Sequence, residues 1–231
     1  MSQAAVSKWA RELERAIRAE AKPDTAPGRA DYAGTDLEFL NVPATPTRRL
    51  AREYDGLMPG PWQECVSALW ARPVFDVRRC AIEMAIRHQR EFVKSDWKLF
   101  EAWLKESVGW AMVDHISCDL FSPLLIKFPE SAARTDKWAR SKNLWLRRAS
   151  LAAFCIPVRT GHHLDVAFAH LEALADDHDP MIWKAVSWLL RSCIRTDRRR
   201  VEMFLRTHED SLAKPVRREV RNKLRTGRKN P

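Results

Sequence analysis

Apolar residues recur at helical spacing along almost the whole chain from residue 46 onward, and no stretch alternates strictly as a half-exposed β-strand would. The pattern predicts an all-helical protein. A loop rich in proline, glycine, aspartate and threonine is expected from Lys22 to Pro46. Asp96 and the pair Asp179-Pro180 predict helix N-termini. The predicted helices cover residues 3–21, 47–55, 61–71, 74–93, 97–106, 109–127, 131–141, 144–157, 163–175, 180–194, 198–208 and 213–226.

Short helices joined by short loops are typical of a helical repeat array, which should show a period in its sequence. The segments VRRCA, LRRA and WKA resemble one another, with VRR near the C-terminus as a weaker fourth, and they align four basic residues. The first gap between these residues is 69 positions, about twice the later gaps of 36 and 34. Asp114 fills the missing place. The aligned series is Arg79, Asp114, Arg148, Lys184 and Arg218, with steps of 35, 34, 36 and 34.

Equivalent positions of a stacked array line up on one surface, usually the concave one. The expected fold is therefore an all-α, right-handed α-solenoid of HEAT-like repeats with a curved, basic inner groove. A tetratricopeptide array fits less well because its glycine and tyrosine positions are absent, and the chain has only two tyrosines. We expect an N-terminal helix and linker at 1–35, the repeat domain at 36–226 and a basic tail at 227–231.

The charge of the chain favours a polyanionic partner. Its formal net charge is +10, which places nucleic acid first and an anionic membrane surface second. Residues 134–148 hold six basic side chains against one acid, and residues 214–231 hold eight against one. Such clusters are typical of binding surfaces, although basic tails also act only as solubilising segments.

Several sequence features limit the class of protein. No apolar run approaches the roughly 18 residues of a membrane helix. The charged N-terminus lacks the apolar core of a secretory signal, and Glu12, Glu14 and Glu20 argue against a transit peptide. The five cysteines form no C-x-x-C pair, and the seven histidines show no metal-binding spacing. We therefore expect buried, reduced thiols, no metal and no cofactor, in a cytoplasmic protein. With nucleic acid as the partner, we expect a monomer that associates with the nucleoid when bound to DNA.

Two tryptophans share helix faces with residues of the aligned series. Trp110 lies four residues before Asp114, and Trp188 lies four residues after Lys184. A lone carboxylate in a basic row weakens phosphate binding, so it calls for another role. Two alternatives stay open: Asp114 only pairs with a neighbouring arginine, or the repeat spacing arises by chance. Tryptophans of helical repeats are usually core residues, and this alternative stays open for Trp110 and Trp188. Core positions are expected for Trp70, Trp97, Trp103 and Trp145.

A carboxylate between indole rings suits hydrolysis of an N-glycosidic bond. That reaction passes through an oxocarbenium-like sugar, by analogy with glycoside hydrolysis, and a carboxylate stabilises this cation. Aromatic faces stabilise a cationic base by about 0.5–2 kcal/mol each. A neutral base needs a general acid to leave, whereas a purine alkylated at N3 or N7 is already cationic. No second acid shares the face of Asp114, and His115 points about 100° away from it.

At these residues the sequence resembles the AlkD-like DNA alkylation-repair glycosylases, which are built from HEAT-like repeats. The resemblance runs from about Asp36 to Leu205 and includes FLNVPATPTRR and LWARPVFDVRRCAIEMA. Its most specific parts are GWAMVDHIS, SKNLWLRRASLAAF and MIWKAVSWLLR. The sequence departs from the family pattern at Asn41, where the family usually has glycine, and at Ser192-Cys193, which replace a more polar pair.

The resemblance implies roles for individual residues. Asp114 matches the catalytic aspartate, Trp110 the tryptophan one turn before it, and Trp188 a second sugar-contacting tryptophan. Arg148 matches an arginine that contacts the DNA backbone, and the basic positions expected beside it are Arg147, Lys184, Arg79 and Arg218. The resemblance implies excision of N3-methyladenine or N7-methylguanine from duplex DNA without flipping the base into a pocket.

Two alternatives remain beside this function. One is a non-catalytic HEAT-repeat protein that binds damaged or branched DNA, because some relatives lack the catalytic set. The other is a solenoid that binds proteins, which the basic groove disfavours. Retention of Trp110, Asp114, Arg148 and Trp188 together favours the glycosylase.

Overall fold

The computed structural model of the protein describes residues 2–22 and 29–230. Within these ranges the chain is helical, and its one β-type contact is an isolated bridge between Glu38 and Val74. The predicted all-helical repeat fold is confirmed. The helices are α1 (Gln3–Ala19), α2 (Arg29–Ala33), α3 (Ala44–Asp55), α4 (Trp62–Trp70), α5 (Phe75–Arg87), α6 (Asp96–Glu106), α7 (Trp110–Ile116), α8 (Ser122–Lys127), α9 (Asp136–Ala139), α10 (Leu144–Ala152), α11 (Leu164–Ala173), α12 (Pro180–Cys193), α13 (Arg198–Thr207) and α14 (Lys214–Thr226).

The chain divides into two compact units. The first comprises Met1–Val93 and Glu106–His115, and the second comprises Lys94–Lys105 and Ile116–Pro231. The predicted segment limits at residues 35 and 226 stay predictions.

In the first unit, α1 packs against α3 and α4. Its buried side chains follow the i, i+3, i+4, i+7 spacing of one helix face, and the Trp9 indole donates to the Tyr54 carbonyl at 3.2 Å. The Ser2 side chain caps the helix by accepting from the Ala5 amide. The helix predicted for residues 3–21 is confirmed as α1. It could be predicted because its apolar stripe is continuous.

Two predictions for the first unit are wrong. The loop predicted from Lys22 to Pro46 contains α2, whose five residues are too few to show a helical period, and residues 23–28 of that loop lie outside the described chain. The helix predicted to reach residue 93 ends at Arg87, and a 3₁₀ turn at Gln89–Glu91 follows it.

The backbone conformation at Asn41 explains why asparagine can stand where the resembled family usually has glycine. Its φ is 55°, in the left-handed region that glycine and asparagine adopt most readily. Its side-chain amide donates to the Lys22 carbonyl at 2.7 Å. The flanking amides of Leu40 and Val42 donate to the fully buried Asp76 carboxylate at 2.9 and 3.1 Å. Asparagine therefore fits the backbone that glycine would adopt at this position.

The second unit is centred on aromatic packing and on successive helix contacts. The Trp97 and Trp138 rings stack with centroids 5.4 Å apart. Helix α12 packs against both α10 and α14, and the Asp179 side chain caps α12 as predicted, accepting from the Met181 amide at 2.7 Å. Asp96, by contrast, is the first residue of α6 and not its cap.

The helix predicted at 131–141 is wrong, because a 3₁₀ turn at Pro129–Thr135 precedes the four-residue α9. The helix predicted at 109–127 is helical from Trp110 to Lys127 but contains a π-helical turn at Ser117–Phe121. Pro123 accounts for this turn, because proline inside a helix clashes with the carbonyl four residues earlier and a π turn widens the backbone there.

The expected core residues are mostly confirmed. Trp70, Trp97 and Trp103 are buried, whereas Trp145 is half-buried, so the core position predicted for it is wrong. The five cysteines are free thiols, and all but the half-buried Cys118 are buried. Within the described residues, no helix is long and apolar enough to cross a membrane.

Candidate functional site

The five residues of the predicted repeat register occupy one helical position. Each is the fifth residue of its helix: Arg79 in α5, Asp114 in α7, Arg148 in α10, Lys184 in α12 and Arg218 in α14. The spacing in the sequence therefore follows from a repeated helix start. That these side chains share one surface stays a prediction.

Asp114 and Trp110 lie on α7, one turn apart, and both are half-buried. The Trp110 indole donates to the Tyr32 carbonyl at 2.5 Å. The Trp110 ring also meets the Tyr32 ring edge to face, with centroids 5.2 Å apart. Trp110 is therefore not a core residue, and its indole is held in one orientation by the segment that contains α2.

Gly109 lets that segment approach the start of α7. Its φ is 91°, and a Cβ built there would lie 2.4 Å from the Ala33 oxygen and 2.5 Å from the Gly34 oxygen. Both atoms belong to the backbone, so they cannot swing aside as a flexible side chain would. Glycine is therefore required at 109 for contact between the α2 segment and the helix that carries Trp110 and Asp114.

We expect Gly109→Ala to lower the free energy of unfolding by about 2 kcal/mol or more, from left-handed strain plus the clash. It should also release the Trp110 indole, measured as a shift in tryptophan fluorescence. Gly161→Ala is the matched control, because Gly161 has φ 83° and its added Cβ would meet nothing within 4 Å. Equal destabilisation by the two variants would show that the contact with the α2 segment contributes nothing.

Trp110 lines a cavity of about 350 Å³ in the first unit. Its walls are largely aromatic and apolar, and the Phe39 and Phe75 rings pack with centroids 5.0 Å apart. Tyr32 is the most exposed member, with 72% of its surface accessible. Sequence reasoning missed this cavity, because the α2 segment shows no periodicity. The lining residues are Tyr32, Ala33, Phe39, Phe75, Arg79, Trp110, Ala111, Met112 and His115.

His115, next to Asp114, is held neutral. Burial, reinforced by the guanidinium groups of Arg79 and Arg48, lowers the pKa of His115 to about 4. Glu83 lies 3.9 Å from the His115 Nε2 atom and opposes this effect, but its carboxylate also pairs with Arg48 at 3.1 Å. At neutral pH His115 therefore carries no imidazolium proton for a leaving base.

This pKa predicts a pH-dependent stability. Between about pH 6.5 and 4 the unfolded chain binds a proton at His115 that the folded chain does not, so the free energy of unfolding falls as the pH drops through this window. From pH 7 to pH 5 the loss from this group is about 2 kcal/mol. Denaturant unfolding should show a smaller loss in His115→Gln, with the exposed His162→Gln as the control. A pH dependence in His115→Gln equal to that of the wild type would contradict the assignment of a neutral His115 in the folded protein.

Arg79 is mostly engaged within the protein. Its guanidinium donates to the Val42 carbonyl and the Thr47 hydroxyl, each at 2.5 Å, and lies 3.4 Å from Asp76. Burial lowers the pKa of Arg79, and Asp76 opposes the effect. Arg79 therefore joins α5 to the start of α3, and contact with DNA by this residue stays a prediction.

The basic residues predicted in the second unit differ in exposure. Arg147 pairs with Asp177 at 2.9 Å and also donates to the carbonyls that precede α10. Arg148 is only 6% exposed and donates to the Met181 carbonyl. Lys184 is exposed. A phosphate contact by either arginine would have to share its guanidinium with these internal partners, whereas Lys184 faces solvent.

Trp188 is half-buried one turn after Lys184, so it is not a fully buried core residue. Arg218, on α14, is exposed. The roles predicted for both residues stay predictions. Among the described residues, no cluster of three or more histidine, cysteine or carboxylate groups is arranged to hold a metal ion.

Comparisons with known proteins place this site in context. The family model for the DNA alkylation repair enzyme matches residues 13–224. No curated protein sequence matches the chain. Among solved structures, a predicted DNA alkylation repair enzyme from Enterococcus faecalis aligns with a TM-score of 0.78 at 19% identity, over 90% of this chain and 98% of that one. At this identity the structural likeness shows a shared fold, while the family match covers most of the sequence.

Proposed function

This chain belongs to the DNA alkylation repair enzyme family, and we propose that it is a monofunctional DNA glycosylase. It hydrolyses the N-glycosidic bond of cationic alkylated purines in duplex DNA, of the N3-methyladenine and N7-methylguanine class. Asp114 is the catalytic carboxylate in this proposal. Trp110 and Trp188 contact the sugar and the base, and exposed basic residues contact the phosphates.

The observation that carries the proposal is the arrangement on α7. Asp114 follows Trp110 by one turn, and the Trp110 indole is fixed by the Tyr32 carbonyl. A fixed aromatic face is a preorganised group, and it stabilises positive charge without reorganising during the reaction. A half-buried carboxylate one turn away adds a negative charge that stabilises the same developing cation. An arrangement of this kind supports departure of a base that is already cationic.

The state of His115 supports the choice of substrate. It is the ionisable group nearest to Asp114 along α7, and its pKa of about 4 leaves it deprotonated at neutral pH. A neutral purine leaves as an anion unless an acid protonates it, whereas a cationic purine leaves neutral. The site therefore favours lesions that carry their own positive charge.

The proposal is tested by following a single 7-methylguanine placed in a defined duplex. The expected products are the free base and an abasic site, which hot alkali converts to a strand break at that position. Tight binding to the duplex without an abasic site would instead support the non-catalytic DNA-binding protein.

A further inference from the structure

Helix α14 carries a basic stripe that takes no part in the proposed excision step itself. Together with Asn222, five of its six basic residues line an open groove of about 690 Å³ on one side of the helix. The helix has one acidic residue, Glu219, which is buried and accepts from the Ser187 hydroxyl of α12. The basic residues of the stripe are Lys214, Arg217, Arg218, Arg221 and Arg225.

From this surface we infer that α14 is an accessory DNA-binding element that follows the phosphate backbone. This inference rests on the proposed action on duplex DNA, but it does not require base excision. It goes beyond the predicted contact by Arg218, since it assigns the whole stripe as one site.

Most of the stripe's charge is free to bind an anion. Within the described chain, Lys214, Arg218 and Arg225 have no ion-pair partner, whereas Arg217 and Arg221 share the single carboxylate of Glu209. Unpaired guanidinium and ammonium groups facing solvent bind phosphate without first breaking an internal contact.

The geometry of the stripe matches an extended polyanion. Its residues lie on the side of α14 opposite the buried Val216, Glu219 and Val220. Lys214 and Arg225 are about 16 Å apart along the helix axis, which is the axial length of about five phosphates on one DNA strand.

A solubilising role and a membrane-binding role both fit this stripe less well. A polar outer face keeps a repeat array soluble, but solubility does not require charges of a single sign. An anionic membrane would also attract the stripe. Interfacial helices insert an apolar face, however, and the valines Val216 and Val220 of α14 are packed inward. Nucleic acid is therefore the partner that this surface fits best.

The test compares two triple variants of equal charge in the full chain. Lys214→Gln, Arg218→Gln and Arg225→Gln together remove the unpaired cations of the stripe. The control combines Arg159→Gln, Arg199→Gln and Arg206→Gln, which are exposed arginines outside it. Glutamine keeps helix propensity, and thermal unfolding verifies that both variants fold.

Binding to undamaged duplex DNA is measured by fluorescence anisotropy across a salt titration. The stripe variant should bind roughly tenfold or more weakly at low salt, and the slope of log K against log salt should fall by about three units. The control should stay within twofold of the wild type. Equal losses in both variants, or loss of binding to anionic vesicles with duplex binding kept, would overturn the assignment. Because undamaged DNA is the probe, the result holds whether or not the protein excises bases.

Discussion

Replacing Asp114 with asparagine should lower the single-turnover rate of 7-methylguanine excision by about 10²-fold or more while duplex binding is kept. The size is that expected when one preorganised electrostatic group is removed from an active site. Asparagine preserves the shape of the side chain but not the charge that stabilises an oxocarbenium-like sugar. Affinity for the duplex should rise slightly, because one negative charge is removed from a DNA-binding protein of net charge +10.

Glu64→Gln is the matched control for this experiment. Glu64 is an exposed carboxylate of the same unit but lies on α4, so its loss makes the same change in net charge on a different helix from Asp114. Its excision rate should equal that of the wild type. Thermal unfolding of both variants separates lost chemistry from lost folding. An Asp114→Asn rate within twofold of the wild type would show that this carboxylate is not catalytic.

The second large effect is selectivity between charged and neutral bases. The protein should release N3-methyladenine and N7-methylguanine at least about 10²-fold faster than uracil, hypoxanthine or 8-oxoguanine, since general acid catalysis, worth 10²–10⁴-fold, is missing. On the face of Asp114, positions 107, 110, 111, 117 and 118 hold no acid. His115 has a pKa of about 4 and is deprotonated at neutral pH. Rates on defined duplexes, one lesion in each, measure the ratio.

The selectivity for charged bases and the catalytic role of Asp114 can be tested separately. Equal rates for hypoxanthine and 7-methylguanine would mean that another group supplies the proton, and selection by charge would be refuted even if Asp114 proved essential. A lower rate for hypoxanthine that recovers in mild acid, where the purine is protonated more often, would agree with selection by charge.

Local sequence signals predict much of the fold. The apolar stripe of α1 and the Asp179 cap of α12 each depend on residues that are close together in the sequence. Composition and spacing are therefore sufficient to predict both. The segment at 129–139 resembles one helix in sequence, because its apolar spacing cannot distinguish a 3₁₀ turn from an α-helix. Helix α2 escapes prediction because five residues show no period.

The candidate site is predictable in part, for a similar reason. Repeat spacing and family resemblance, which are both read from the linear sequence, identify Asp114, Trp110 and Trp188. The contact of Trp110 with Tyr32 joins residues 78 positions apart, and no pattern in a single sequence indicates it. The need for glycine at 109 follows from the close approach of the Ala33 and Gly34 backbone, which is similarly distant in the sequence.

The basic residues show most clearly which properties cannot be predicted from the sequence alone. Arg79, Arg148 and Arg218 occupy the same helical position, yet Arg79 and Arg148 donate to backbone carbonyls of the protein while Arg218 faces solvent. The identity of the side chain is the same in each case. Its role depends on which carbonyl or carboxylate the fold brings nearby, and that is a property of packing rather than of composition.

We propose that this protein excises cationic purines from duplex DNA by means of a carboxylate and no general acid. The decisive measurement is mass spectrometry of the free bases released from one mixed pool of duplexes, which carry 7-methylguanine, 3-methyladenine and hypoxanthine. The wild-type protein should release the two methylated purines and leave hypoxanthine in the DNA. Release of no base from a pool that the protein binds, or release of hypoxanthine at a comparable rate, would contradict it.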